Sequence, residues 1–223
     1  MCTRAFVQTP ALALLPVVFD RLARAAPDLQ VEVTQCETSP ALADLRSHAI
    51  DLVVGIDYDP VPVARHRDVD RRDLVREDVL LALPPQHPAL TKRGPVPVAA
   101  CEDAARATGH GGTGLDAVVR NVCNRLGGFE PDIRHRSDDA LVLSALAASG
   151  RAVALFPALL AMTMPQIAVR RLREKRLQRT IFTATCTTTS DAPAVVAART
   201  AFAETARRAA AQRPNLAVLA YRM

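Results

Sequence analysis

One glycine-rich segment, residues 109–114 (GHGGTG), has residue types and a spacing that can do chemistry. It fits the G-x-G-x-x-G pattern, which in dinucleotide-binding proteins follows a strand and opens a helix, so that backbone N–H groups bind phosphates. The preceding residues 105–108 form only a weak strand candidate, and no βαβ unit that leads the chain surrounds the segment. Two other interpretations stay open: a loop whose N–H groups bind an anionic small molecule, and a plain turn that starts a helix.

Sequence motifs of common enzyme classes are missing. His110, Gly111 and Gly112 are similar to the oxyanion loop of esterases, but the chain has no G-x-S-x-G segment to supply a nucleophile. It also has no P-loop and no H-E-x-x-H zinc motif. The five cysteines show no C-x-x-C and no metal-ligand spacing, which favours reduced thiols in the cytoplasm. We therefore expect no enzyme activity, no catalytic residues, no cofactor and no metal site.

Composition and charge narrow the classes of protein to which the chain could belong. Hydrophobic residues make up 49% and charged residues 23% of 223 residues, as in a globular protein, and no run of 18 apolar residues could span a membrane. The net charge of +5 comes almost entirely from arginine. The arginine-rich residues 170–179 lack aromatics, which favours a solvated turn over a nucleic-acid surface. The first 25 residues loosely resemble a signal peptide, but prolines interrupt the apolar stretch, which favours a strand and an amphipathic helix.

The elements that must position these residues alternate between strand and helix. Residues 4–56 predict strand, Thr9, helix, strand, Ser39, helix, strand, and residues 105–156 predict the same order around Thr113 and Ser137. Such alternation is typical of parallel α/β units, and two small halves suggest two Rossmann-like subdomains. Ligands of such sheets bind beyond the carboxyl ends of strands, at helix N-termini, where these four hydroxyl-bearing residues lie.

Helix boundaries follow from capping residues and prolines. Pro16 predicts that the first helix begins near residue 12 or 13, because proline is tolerated only in a first turn; Leu15, Phe19 and Leu22 then lie on its apolar face. Thr9 would precede this helix by several residues, which favours ligand contact over capping. Thr113, with Asp116 three residues later, resembles a capping box at the start of the third helix. Ser39 is expected to cap a helix that has Pro40 at its first position, and Ser137 with Asp138 to cap the fourth helix. Residues 65–77 predict a solvated loop, and residues 193–211 a long helix.

Several motifs in order resemble the effector domain of LysR-type transcriptional regulators. The chain has LLP at 14–16, PDL at 27–29 and LRSHAIDL at 45–52, followed by HPAL at 87–90, GGFEP at 127–131 and ASGRAVALFP at 148–157. His48 and Arg151 stand where this family has glycine. The family's helix-turn-helix domain has no counterpart in this chain. Cys101 and Cys123 do not match the cysteine spacing of the peroxide-sensing branch.

The resemblance implies an α/β fold of two Rossmann-like subdomains joined by two crossover strands, like a type 2 periplasmic binding protein. Residues 1–79 and 182–223 would form regulatory subdomain I, and residues 80–181 subdomain II, without a DNA-binding domain. The implied function is to sense a small-molecule effector in a cleft between the subdomains and so to modulate transcription. Helix N-termini that face this cleft would favour an effector with a carboxylate among its groups. The implied partners are that effector, a second copy of the chain, and DNA only through a helix-turn-helix domain.

Two other functions stay open: a free-standing solute-binding protein of the same fold, which would need export, and a nucleotide-using enzyme built on residues 109–114. For the effector-sensing function, the candidate ligand-binding residues lie at the strand ends and helix starts. Asp57 is either a plain turn residue or, in the cleft, a partner for a cationic or hydroxyl-bearing group. The full set is Gln8, Thr9, Pro10, Thr38, Ser39, Asp57, His110, Gly112, Thr113, Asp138 and Phe156.

Overall fold

The computed structural model describes residues 2–7, 10–161, 166–212 and 216–219, with the backbone alone for residues 2–7 and 10–13. Contacts divide the chain into two compact units. The first unit comprises Met1–Asp57, Pro62–Glu77 and Thr180–Met223, and the second comprises Tyr58–Val61 and Asp78–Arg179. The regulatory roles that the sequence assigns to subdomains of similar extent stay a prediction.

The first unit is a sheet covered by helices. Its elements are β1 (Cys2–Val7), α1 (Pro10–Ala25), β2 (Gln30–Thr34), α2 (Thr38–Arg46), β3 (Leu52–Tyr58), the first part of β4 (Val69–Leu83), most of β9 (Gln178–Cys186), α6 (Pro193–Ala211) and β10 (Leu216–Val218). The strand order is β10-β4-β9-β3-β1-β2, and β1 pairs in parallel with both β2 and β3. β3 is buried along its whole length, as its apolar sequence predicts.

The second unit contains the glycine-rich segment. Its elements are β5 (Arg106–Thr108), α3 (Gly114–Asn121) continued by π-helical turns (Val122–Gly127), β6 (Ile133–Arg136), α4 (Ala140–Ala148), β7 (Ala154–Pro157), α5 (Ala158–Ala161) and β8 (Ala168–Arg170). β5 and β6 pair in parallel, and β7 and β8 pair antiparallel with the last residues of β4. Two short 3-10 turns, Pro88–Thr91 and Val98–Cys101, lie in the proline-rich connection.

The prediction of a loop at residues 65–77 is wrong for residues 69–77, which belong to β4. The charges that suggested a loop are paired. Arg71 bonds with Asp73 and Asp57, and Asp70 binds the fully buried Arg199 of α6 at 2.6 Å. Paired charges can lie in a half-buried strand because each partner offsets the other's loss of hydration.

The predicted start of α1 is also wrong. The helix begins at Pro10, and Pro16 lies inside it. Pro10 fits the first helical turn because its ring fixes φ near the helical value. The helix continues through Pro16 although this residue has no N–H to donate to the preceding turn. Of the predicted apolar face, Leu22 is buried as expected, but Leu14 and Val18 take the other buried positions and Phe19 is 40% exposed.

His48 takes the left-handed conformation at the end of α2, with φ 59°. The N–H of Ala49 bonds to the carbonyl of Asp44 and the N–H of His48 to that of Leu45, which together form a Schellman motif. At the end of α4, Gly150 rather than Arg151 takes the left-handed position, with φ 80°. The turn after α2 therefore keeps its usual form with His48 in place of glycine, although residues with a side chain disfavour this conformation.

Candidate functional site

The loop of residues 109–113 connects β5 to α3, and Thr113 fixes its end. Thr113 is the N-cap of α3, as predicted: its Oγ1 accepts a hydrogen bond from the N–H of Asp116 at 3.3 Å. The same hydroxyl donates to the carbonyl of His110 at 2.8 Å. One side chain thus joins the helix start to the loop before it.

Asp138 holds His110 through both carboxylate oxygens. Its Oδ1 accepts from the backbone N–H of His110 at 3.0 Å, and its Oδ2 lies 2.9 Å from Nδ1 of the imidazole. Because a carboxylate can only accept, Nδ1 carries the proton, and Nε2 is the ring nitrogen that can bind another group. The two side chains are 63% and 46% exposed, so the imidazole is both oriented and accessible.

The expectation that Ser137 and Asp138 cap α4 is wrong, because Asp139 takes that position. Asp139 Oδ1 accepts from the N–H of Leu141 at 2.8 Å, and Ser137 Oγ accepts from the N–H of Asp139 at 3.1 Å. Asp138 is therefore left to bind the histidine. The sequence offers adjacent aspartates, and local pattern alone does not decide which one caps the helix.

Arg136 supports the loop from β6, and the sequence analysis missed it. Its Nη1 donates to the carbonyl of Gly109 and to Asp116 Oδ1, both at 2.9 Å. Burial raises the pKa of Asp116, but hydrogen bonds from Arg136 and Arg120 outweigh it and hold that pKa below its ordinary value. The sequence holds no signal for this role, because the alternation of β6 puts Arg136 at one of the exposed positions of the strand.

The glycines of the loop have different roles. A Cβ on Gly109 would lie 2.4 Å from Thr113 Oγ1 and 3.1 Å from Asp138 Oδ1, so only glycine fits there. A Cβ on Gly111 or Gly112 would have no atom within 4 Å, and Gly112 has φ 89°. These two residues therefore present open backbone beside His110.

The family described as the LysR substrate binding domain matches residues 5–207. The chain belongs to this family. No curated protein matches it by sequence.

Solved LysR structures share the fold, type 2 periplasmic-binding-protein-like, with two Rossmann-like subdomains joined by two crossover strands. The regulatory domain of MetR from N. meningitidis, a cysteine-to-serine double mutant, is 17% identical, with 99% of this chain and 100% of that one covered and a TM-score of 0.73. The effector-binding domain of QuiR in complex with shikimate is 16% identical, with 93% and 98% covered and a TM-score of 0.77. Full-length CbnR complexed with its target DNA is 19% identical, with 93% and 70% covered and a TM-score of 0.69.

The segment 109–114 of this LysR domain lies in a βαβ unit, β5-α3-β6, which starts at Arg106 and so does not lead the chain. The glycine roles nevertheless differ from those of a dinucleotide site. In that motif the third glycine permits close packing of helix and strand. Here a Cβ on Gly114 would meet only the Tyr58 ring, at an ordinary 3.5 Å. The geometry therefore favours the small-molecule loop over the nucleotide site.

In the first unit, Thr38 lies at the start of α2 and is buried, and its Oγ1 accepts from the N–H of Ile56 at 3.1 Å. Ser39 is exposed and does not cap α2, which begins at Thr38 after the N-cap Glu37. The prediction of a Ser39 cap is wrong because every N–H of a first turn lacks a helical partner, so Pro40 fits at the third position as well as at the first.

Asp57 is the last residue but one of β3, and both of its carboxylate oxygens have partners within its own unit. Oδ1 accepts from the N–H of Val63 at 2.8 Å, and Oδ2 accepts from Arg71 Nη1 at 2.6 Å. The carboxylate is 12% exposed. These bonds account for Asp57 as the residue that closes the turn after β3, and its role as a ligand residue stays a prediction.

The other predicted residues divide into two groups. Gln8 and Thr9 lie outside the described residues, and of Pro10 only the backbone is described, as the first residue of α1. The sequence favours ligand contact for Thr9 because it predicts that the helix begins several residues later. Since α1 begins at Pro10, this argument no longer holds. Phe156 is 1% exposed and lies opposite Leu80 in the pairing of β7 with β4, so its side chain belongs to the core of the second unit.

The surroundings of Cys101 and Cys123, and of two arginines in residues 170–179, account for these residues without a redox or nucleic-acid role. Cys101 and Cys123 are buried free thiols, and burial raises the pKa of Cys101 to about 11. Protonated, buried thiols are inert. Arg171 and Arg176 both pair with the buried Asp78, at 2.9 and 2.7 Å.

In the part of the chain that the structure describes, no helix is long and apolar enough to cross a membrane. The histidine, cysteine and acidic side chains of this part form no group of three that could hold a metal ion.

Proposed function

We propose that this LysR domain binds a small-molecule effector and passes its occupancy to DNA through a helix-turn-helix domain. The oriented, accessible imidazole of His110 beside the N-terminus of α3 carries the proposal. The relatives support it in outline: the QuiR domain is in complex with shikimate, and full-length CbnR is in complex with its target DNA. An effector can change the activity of a regulator only by its difference in affinity for the two states.

The chemistry of the loop indicates what the effector carries. Open backbone at Gly111 and Gly112 beside the N-terminus of α3 favours a carboxylate, by about 0.3–1 kcal/mol for an exposed helix end. Asp138 opposes a bare anion, while His110 Nε2 accepts a hydrogen bond from a hydroxyl or amine. An effector with both a carboxylate and a hydrogen-bond donor therefore fits better than a simple acid.

A thermal-shift screen of hydroxylated, aromatic and aliphatic carboxylates identifies the effector. At 100 times its dissociation constant a ligand adds about 2.7 kcal/mol of stability. For a chain of this size that raises the unfolding temperature by about 5–10 °C.

An adjacent pair of substitutions then tests the site. Asp138→Asn replaces Oδ2 with an amide nitrogen, so the carboxylate no longer holds Nδ1, and we expect the effector to bind about tenfold more weakly or worse. Asp139→Asn removes the same charge one residue away but keeps the helix cap, because asparagine caps as well as aspartate. Equal affinity of the two variants would contradict the proposed role of His110.

Thr9 extends the proposal to the first unit. Thr9→Val keeps the volume but loses the hydroxyl, and we expect about 1–2 kcal/mol weaker effector binding with an unchanged unfolding temperature. Unchanged affinity with lower stability would make Thr9 structural. That one effector contacts residues of both units stays a prediction, which a double-mutant cycle of Thr9→Val with Asp138→Asn tests.

The remaining expectations belong to the same proposal. A regulator that acts on DNA works in the cytoplasm, binds rather than transforms its effector, and needs no cofactor. We also propose that it acts as a homodimer or a higher homo-oligomer. Two apolar side chains on α1, Val17 and Phe19, are 41% and 40% exposed and suit such packing.

A further inference from the structure

A cavity lies entirely within the first unit, and the loop of His110, in the second unit, takes no part in it. It encloses about 240 Å³ between α2, residues 64–66 and the strands β4 and β9. None of the predicted effector residues that the structure describes lines it. Its apolar wall consists of Leu42, Phe182 and Ala184, which belong to the core of the unit, together with Val69.

The polar wall carries both signs of charge. The guanidinium carbon of Arg71 lies over the Phe182 ring, 3.7 Å from its centre, with Nη1 donating to Asp57 and Nε to Asp73. These two bonds leave the N–H groups of Nη2 to donate to a ligand. Arg65, which also lines the cavity, is 63% exposed and lies 3.9 Å from Asp73 and 4.0 Å from Asp57, beyond hydrogen-bond distance. Two guanidinium groups can therefore still donate to a carboxylate.

Asp70 supplies the opposite charge on the same wall. Arg199 and Arg72 both pair with its Oδ2, at 2.6 and 3.2 Å, so Oδ1 is the oxygen that can accept from a ligand. Burial raises the pKa of Asp70, but the bonds from Arg199 and Arg72 outweigh it and keep that pKa below its ordinary value. The carboxylate is therefore ionised at neutral pH.

We infer that this cavity is a second binding site, for a free α-amino acid with an apolar side chain. The carboxylate of the ligand would bind Arg65 and Nη2 of Arg71, its ammonium would bind Asp70, and its side chain would lie against Val69 and Leu42. A ligand with a single charge matches the wall less well, because it would leave either the two guanidinium groups or Oδ1 of Asp70 without a partner. The volume suits a ligand smaller than the drug-sized molecules that fill ordinary pockets.

Calorimetric titration of the whole chain with L-valine, L-leucine and L-phenylalanine tests the inference. We expect at least one of them to bind with a stoichiometry of one. The two analogues of leucine that lack one charge, 4-methylpentanoate and 3-methylbutan-1-amine, should each bind at least about tenfold more weakly. The inference would be overturned if none of the three amino acids bound at 10 mM ligand, which corresponds to about 2.7 kcal/mol of binding free energy. Binding of either analogue as tight as that of leucine would overturn it as well.

Three variants locate the bound amino acid. Arg65→Gln removes an exposed charge of the cavity and should weaken binding about tenfold. Ala64→Trp places a large ring at the exposed rim of the cavity and should abolish binding without burying any new polar group. Arg93→Gln removes an exposed arginine of the second unit and should leave the affinity unchanged. Unchanged affinity in the first two variants, or equal loss in all three, would place the bound molecule elsewhere.

Discussion

Gly109→Ala is the substitution for which the structure gives the clearest energetic consequence. The new Cβ would lie 2.4 Å from Thr113 Oγ1, a distance that Cβ atoms do not reach, so the threonine side chain has to move. It then loses the cap bond from the N–H of Asp116 and its own bond to the carbonyl of His110.

The size of the effect follows from these two bonds. Loss of the cap costs about 1 kcal/mol and loss of the second hydrogen bond about 1 kcal/mol. Alanine offsets about 0.4–1 kcal/mol of this by reducing the freedom of the unfolded chain. The net loss is about 1–1.5 kcal/mol, which lowers the unfolding temperature by about 2–6 °C at this chain length.

Gly111→Ala is the matched control, because its Cβ would meet no atom within 4 Å and its φ lies outside the left-handed region. We expect this variant to be as stable as the wild type or slightly more stable. Denaturant unfolding, followed by circular dichroism, measures both variants against the wild type. A Gly109→Ala protein of wild-type stability, or equal destabilisation by the two alanines, would refute the reasoning.

Three further predictions concern other parts of the molecule. His48→Gly relieves the left-handed conformation at φ 59° and should stabilise the protein by about 0.5–1 kcal/mol in the same unfolding assay; a lower stability would mean that the imidazole makes an unrecognised contact. Asp70 has a pKa below its ordinary value, so its stabilising effect is complete above the unfolded pKa, about 3.9, and is lost as the pH falls through the folded value. Asp70→Asn should therefore destabilise the protein more at pH 7 than at pH 3, and an equal difference at both pH values would contradict this sign. Sedimentation at tens of micromolar protein should give a dimer, and a monomer there would count against assembly through the exposed side chains of α1.

The parts of the fold that could be predicted are those that local chemistry determines. Helix α6 runs from Pro193 to Ala211 as predicted, since Pro193 starts it and its buried alanines form one face. β3 is an unbroken buried strand, as its apolar run indicates. The cap at Thr113 follows from the side chain and its place before an amphipathic segment.

The parts that could not be predicted depend on partners far away in the chain. The charged start of β4 is ordered by Arg199, which is 129 residues from Asp70. The choice between Asp138 and Asp139 as helix cap depends on His110, 28 residues away from Asp138. In the site itself, the sequence indicated His110, Thr113 and Asp138, but it did not reveal Arg136, whose bond to the Gly109 carbonyl exists only after β6 has paired with β5.

The measurement that tests the central claim most directly is a backbone amide NMR titration of the whole chain with an effector from the thermal-shift screen. The proposal predicts that the amides of Gly111 and Gly112 and the imidazole of His110 shift first and saturate at one effector per chain. Saturating shifts confined to other residues, with these three groups unchanged, would contradict it.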